Sequence, residues 1–128
     1  MTDKKDLRIL LVEDDENVSL LYRQALEDEG YEVICAGDGR TAIEKAESEQ
    51  PDLVIMDINL PEKMDGLESM SKILSDNKDI PVILNTGYSE YKDNFMSWAA
   101  EAYVLKSADL NPLLNAIRDV LGKRSQAG

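Results

Sequence analysis

Histidine is absent from this chain of 128 residues. That excludes a Ser-His-Asp triad, imidazole metal ligands and any role as a phosphohistidine carrier. Cysteine occurs once, at Cys35, so an internal disulfide and a CxxC motif are excluded as well. A lone thiol fits a reducing cytoplasm, which is the expected location. Basic residues are scarce: 14 Lys and Arg stand against 26 Asp and Glu, giving a formal charge of −12 and a pI near 4.3. Nucleic acids and anionic membrane surfaces both need cations on the protein, so neither partner is expected. No apolar run is long enough to span a bilayer, and residues 1–8 are too polar for a signal peptide. The five methionines are scattered and form no stripe.

What is present is a soluble-domain composition, 43% hydrophobic and 31% charged. A chain of this length buries roughly two thirds of its unfolded surface, enough to fold without a disulfide or a metal. Short apolar runs alternate with helical patterns. Residues 7–12 read as a strand. Val18, Leu21, Tyr22, Ala25 and Leu26 repeat at helical spacing, and Gly30 reads as the stop. Residues 31–36 form a second strand, mixed in polarity and so at an edge. Ala42, Ile43 and Ala46 mark the inner face of a short helix, and 53–56 a third strand. Leu67, Met70, Ile73 and Leu74 mark the next helix, and 81–84 a fourth strand. Tyr91, Phe95, Trp98, Ala99 and Ala102 mark a fourth, more polar helix that runs into a fifth strand at 103–105. Asn111 caps a fifth helix with Pro112 at its first position; Leu113, Leu114, Ile117 and Leu121 face inward and Gly122 ends it. The pattern is strand–helix five times over. It implies an α/β fold: a doubly wound, five-stranded parallel sheet with helices on both faces. One domain fills residues 1–128, with its core at about 7–121 and a polar, frayed tail at 122–128.

The chemistry collects at the strand ends. Strand one runs into Glu13, Asp14 and Asp15, strand three into Asp57, strand four into Asn85 and Thr86, and strand five into Lys106. In open α/β sheets ligands bind outside the carboxyl ends of the strands, so these residues from four parts of the chain meet at one edge. Glu13, Asp14 and Asp57 in one pocket repel one another, and a hard divalent ion such as Mg²⁺ relieves that. Each residue also has a plainer reading. Residues 13–16 suit an acidic helix start, and Asp57 suits a strand-end cap. Lys106 suits a solvated loop and Thr86 a turn. Asp57 nevertheless follows four apolar residues, where an unpaired charge is costly. Thr86 can donate to a phosphoryl oxygen, and Gly87 leaves room for a ligand. The joint placement favours the functional reading. Cys35 reads as a buried small hydrophobe, and Trp98 as packing or partner surface.

The segments ILLVEDDENV (9–18), PDLVIMDINLP (51–61), MDG (64–66), VILNTGYS (82–89) and AYVLKS (102–107) together resemble the receiver domain of two-component response regulators, over residues 7–121. The resemblance implies a chemotaxis-regulator-like (βα)5 fold of flavodoxin-like strand order 2-1-3-4-5. It implies Asp57 as phosphoacceptor, with Mg²⁺ on Glu13, Asp14, Asp57 and the Asn59 carbonyl. Glu13 would act through water and Asp14 more directly. It further implies Thr86 as switch hydroxyl, Lys106 as active-site lysine and Tyr103 as switch aromatic. The partners implied are a sensor histidine kinase, docking on helix one and the loops around the acidic pocket, and a downstream target on the face of helix four, strand five and helix five. Asn59 and Tyr88 flank the site and could tune water access. The protein would be a signalling switch, not an enzyme with a separate substrate, and either stands alone or belongs to a longer regulator.

Three positions depart from the common pattern. The loop at 61–66 is one residue longer, Glu13 replaces Asp at the first acidic position, and Ser107 follows the lysine where proline in a cis bond is usual. A cis bond before serine costs about 3 kcal/mol, so the isomer is left open. Rival classes fit less well. A haloacid-dehalogenase-type phosphatase wants a second Asp where Asn59 stands, and a flavin binder wants a Ser/Thr/Gly-rich loop where residues 13–16 are acidic. A pseudo-receiver that only binds partners would have no need of Asp57, Thr86 and Lys106.

Overall fold

The computed structural model describes residues 7–58, 66–77, 79–87 and 99–127. Its elements run β1 (Arg8–Val12), α1 (Glu16–Asp28), β2 (Glu32–Ala36), α2 (Gly39–Glu49), β3 (Leu53–Met56), α3 (Gly66–Asp76), β4 (Val82–Thr86), β5 (Ala102–Leu105) and α4 (Asn111–Ala127). The strands pair in parallel in the order β2-β1-β3-β4-β5, which is the expected doubly wound sheet. The expected fourth helix, with Tyr91, Phe95 and Trp98, lies outside the described residues, as do Asn59, Tyr88 and the loop at 61–65. The helix labelled α4 is therefore the expected fifth.

Side chains alternate across a strand, and this divides the core in two. Leu10, Val12, Val54, Met56, Val82 and Leu84 point to the α2 and α3 side, where Ala42, Leu67, Met70 and Ile73 cover them. Ile9, Leu11, Leu53, Ile55 and Ile83 point the other way, under Tyr22 and Leu26 of α1 and Leu113, Ile117 and Val120 of α4. β1, β3 and β4 are apolar on both faces because both faces are covered. β2 and β5, at the edges, are only half-buried.

α1 starts and stops for local reasons. The Asp15 carboxylate accepts from the amides of Asn17 (2.9 Å) and Val18 (3.2 Å), satisfying donors that have no partner within the helix. At the other end Gly30 takes φ 98°. Its amide donates to Glu27 and that of Tyr31 to Leu26, the paired bonds of a Schellman stop. Tyr31 is thus part of this cap and not of β2 as expected. Leu21, expected inward, is 54% exposed. The buried stripe runs through Tyr22 and Leu26, and Leu21 sits about 100° round the helix from Tyr22.

Four further expectations are corrected. Ala102 opens β5 instead of closing a helix. α4 has Asn111 as its first residue, because the Leu110 carbonyl already accepts the Leu114 amide (3.0 Å); Pro112 is second. α4 also runs past Gly122 to Ala127, so residues 123–127 are helical and not a frayed tail; a glycine in an exposed turn costs a helix only about 1 kcal/mol. Cys35 is half-buried on the edge strand. Among the described residues no peptide bond is cis, so Lys106–Ser107 is trans. No described helix is long and apolar enough to cross a membrane.

Candidate functional site

All five strands point the same way, so their carboxyl ends share one edge. Register then decides which residues meet. Val12 lies opposite Met56, so Glu13 and Asp57 leave neighbouring strands side by side. Thr86 lies opposite Leu105, so Lys106 follows one step beyond β4. The ladder continues through the functional residues themselves. The Glu13 amide donates to Ala36 (3.0 Å), that of Asp57 to Val12 (3.1 Å) and that of Lys106 to Thr86 (2.8 Å). Each side chain is therefore mounted on backbone still tied to the sheet.

Lys106 reaches inward from the edge strand across the end of β4. Its Nζ donates to Glu13 Oε1 (2.5 Å) and to Asp57 Oδ2 (2.9 Å). Glu13 and Asp57 are each only 5% exposed, whereas Asp14 is exposed. The second Glu13 oxygen accepts from the Asp15 amide (3.2 Å). Burial pushes the Glu13 carboxyl above its ordinary range; the Lys106 hydrogen bond and the Asp15 amide pull it back only in part, and the Asp57 charge adds to the rise. Burial also works against the Lys106 ammonium. Its bonds to Glu13 and Asp57 outweigh that and hold its pKa well above that of an ordinary lysine.

One oxygen each from Glu13, Asp14 and Asp57 lies within 4.8 Å of the others. Three carboxylates and one ammonium leave two negative charges at the cluster. An all-oxygen donor set with that excess fits a hard divalent cation that keeps several waters. The cluster lines an open cleft of about 540 Å³ with Asp15, Val18 and Gly87. Having no side chain, Gly87 leaves the β4 end of the cleft clear.

The structure thus brings Glu13, Asp14, Asp57 and Lys106 together. Thr86 is fully buried at the end of β4 and joins the site through its backbone bond to Lys106. Tyr103 is half-buried on β5, packed against the α2–α3 side of the core. Asn59 lies outside the described residues. The acidic run at 13–16 divides its labour: Asp15 is the helix cap, Glu13 the buried partner of Lys106 and Asp14 the exposed carboxylate. Sequence patterning assigns Gly66 no role, yet it lies against the backbone of Asp57. Its only signal is a glycine at the end of the MDG segment.

Comparison with known proteins follows the same lines. The family model of the response regulator receiver domain matches residues 9–118. The regulatory protein AtoC of Escherichia coli (strain K12) is 39% identical over 108 residues, covering 83% of this chain and 23% of AtoC. The chain therefore spans less than a quarter of that relative's length. Among solved structures, the response regulator TrrA of Thermotoga maritima in complex with Mg²⁺-BeF is similar with a TM-score of 0.85 and 40% identity, over 88% of this chain and 97% of that one. TrrA is also seen in complex with the histidine kinase ThkA, with a TM-score of 0.84 and 40% identity over 90% and 98% of the two chains. A receiver domain protein of Methanospirillum hungatei JF-1 matches with a TM-score of 0.89 and 33% identity, over 95% of this chain and 98% of that one.

Proposed function

The chain belongs to the response regulator receiver domain family, and on that premise we propose that it is a phosphorylation-activated switch with Asp57 as phosphoacceptor. The observation that carries this is the Lys106 ammonium bridging Glu13 and Asp57 beside Asp14 at the open sheet edge. An Asp57 oxygen attacks the phosphorus of a phosphohistidine on a sensor kinase. The new P–O bond forms as the P–N bond breaks, and the leaving imidazole keeps the bonding pair and takes a proton from solvent. Hydrolysis returns the carboxylate and inorganic phosphate, so the protein acts on its own phosphorylation state and on no separate substrate.

Such transfer depends on positioning and on charge neutralisation. Glu13, Asp14 and Asp57 are the residues to hold Mg²⁺, which when bound offsets the charge of the phosphoryl oxygens. Lys106 contributes a fixed positive charge from the other side; its high pKa keeps it protonated at every physiological pH. Thr86 supplies a hydroxyl to the phosphoryl group and Tyr103 responds by repacking. That links a local charge change to the β5 surface offered to a downstream target. The structure of a histidine kinase with TrrA supports a sensor kinase as the donor partner, and the receiver domain is taken to act in the cytoplasm.

The test is intact-protein mass after incubation with Mg²⁺ and a small phosphodonor. Wild type is expected to gain one phosphoryl group, and Asp57→Asn and a metal-free control none. Folded wild type without an adduct, even from a panel of phosphorylated kinases, would favour a pseudo-receiver that binds partners only.

A further inference from the structure

We infer that Gly66 is a positioning residue for the phosphoacceptor: it is the stop against which the Asp57–Ile58 peptide is held. The inference rests on the reading of Asp57 as the reacting group. Asp57 leaves β3 with its amide tied to the Val12 carbonyl (3.1 Å) and its carboxylate tied to Lys106 (2.9 Å). The other side of its backbone faces the first residue of α3. The Gly66 amide donates to the Ile58 carbonyl at 2.8 Å. A Cβ at position 66 would stand 2.0 Å from the Asp57 carbonyl oxygen, 2.7 Å from Ile58 Cα and 2.8 Å from the Asp57 carbonyl carbon.

All three neighbours are backbone atoms, so no flexible side chain can move aside. Non-bonded heavy atoms settle at roughly 3.5–4 Å, so a methyl group there moves the Asp57 peptide or α3 by about 1 Å or more. Because its amide end is fixed to β1, the Asp57 peptide would tilt, and the carboxylate would leave its place beside Glu13, Asp14 and Lys106. A 1 Å misplacement of a reacting group costs roughly a hundredfold in rate. At Gly37 and Gly122 an added Cβ would meet nothing within 4 Å, so steric crowding of this kind is specific to position 66 among these three.

The experiment compares wild type, Gly66→Ala, Gly122→Ala and a core variant at Ile117, Val or Ala, chosen to melt at the same temperature as Gly66→Ala. Ile117 lies in the opposite core layer, so it reports loss of stability alone. Two quantities are read on folded protein: the Mg²⁺ dissociation constant and the rate of phosphoryl uptake from a small donor. Gly66→Ala is expected to slow uptake about a hundredfold and to weaken Mg²⁺ binding at least several-fold, with both controls near wild type. Values for Gly66→Ala within threefold of the Ile117 variant would overturn the inference.

If wild type binds Mg²⁺ but takes up no phosphoryl group from a small donor or from a panel of phosphorylated kinases, the functional reading fails, and the Mg²⁺ constants alone decide the role of Gly66. Should Gly66→Ala not fold, amide hydrogen exchange on wild type decides instead. A Gly66 amide as protected as those inside α3, and slower still with Mg²⁺ and beryllofluoride, supports the contact. A Gly66 amide exchanging at the unprotected rate overturns it.

Discussion

Each end of the sheet sets a cation among carboxylates, and the two ends behave differently. At the amino end Arg8, which opens β1, lies 3.4 Å from Glu32 and 3.6 Å from Glu49, while its amide donates to Asp52 at 2.8 Å. The Arg8, Glu32 and Glu49 side chains are 43%, 54% and 47% exposed. At the carboxyl end the Lys106 side chain is 26% exposed, and the side chains of its partners Glu13 and Asp57 are 3% and 6% exposed. Water and salt screen the first cluster, so it contributes little. The second has given up its hydration and depends on its own members. The same kinds of charges therefore make a surface fastening at one end and a poised site at the other, and burial is what separates them.

The sharpest way to break the contrast is to delete each cation in turn. Lys106→Met leaves Glu13 and Asp57 buried without their counter-charge and is expected to lower stability by about 3 kcal/mol at pH 7, read by urea denaturation. The sign with pH follows from the raised lysine pKa. The stabilisation by Lys106 is fully present below the ordinary lysine value, near 10.4, and is lost as pH rises through the higher folded value. The gap between wild type and Lys106→Met should thus persist at pH 9 and narrow only in strongly alkaline solution.

A second substitution separates metal binding from stability. Asp14 is exposed, so Asp14→Asn is expected to cost no metal-free stability and to weaken Mg²⁺ by roughly tenfold, about 1.4 kcal/mol, by titration calorimetry. Asp15→Ala, in the same acidic run, should do the reverse. It removes the cap of α1 and costs about 1 kcal/mol of stability, with Mg²⁺ affinity retained. The smallest effect belongs to the amino end. Arg8→Met should cost less than about 1 kcal/mol, and 1 M salt should erase that difference while leaving most of the Lys106 effect intact.

Much of this was legible in the sequence because apolar runs and charged strand ends report directly on a parallel sheet. Glu13, Asp14, Asp57 and Lys106 each close or follow an apolar run, and register alone then gathers them. What stayed hidden depends on packing between distant segments. The division of labour in the acidic run is only half local: Asp15 finds its partners in the first turn of α1, whereas Glu13 is buried by its bond to Lys106, a distant segment the run itself does not announce. Leu21 fits a helical stripe by spacing, yet the stripe turned to the core runs through Tyr22 and Leu26, and Leu21 lies about 100° round the helix from Tyr22. Gly122 reads as a stop, yet glycine permits a helix end without requiring one, and α4 runs on to Ala127. The tight approach of Gly66 to Asp57 joins two elements across a loop and leaves no periodic trace.

Of the two buried carboxylates that Lys106 bridges, Asp57 is the one proposed to become phosphorylated. The most direct measurement is to phosphorylate the protein with Mg²⁺ and a small donor, reduce it with borohydride and map the peptides by mass. Borohydride converts an aspartyl phosphate to homoserine, so homoserine at position 57, and at no other acidic position, is the expected result. Homoserine at Asp14 or elsewhere, with position 57 unmodified, would contradict it.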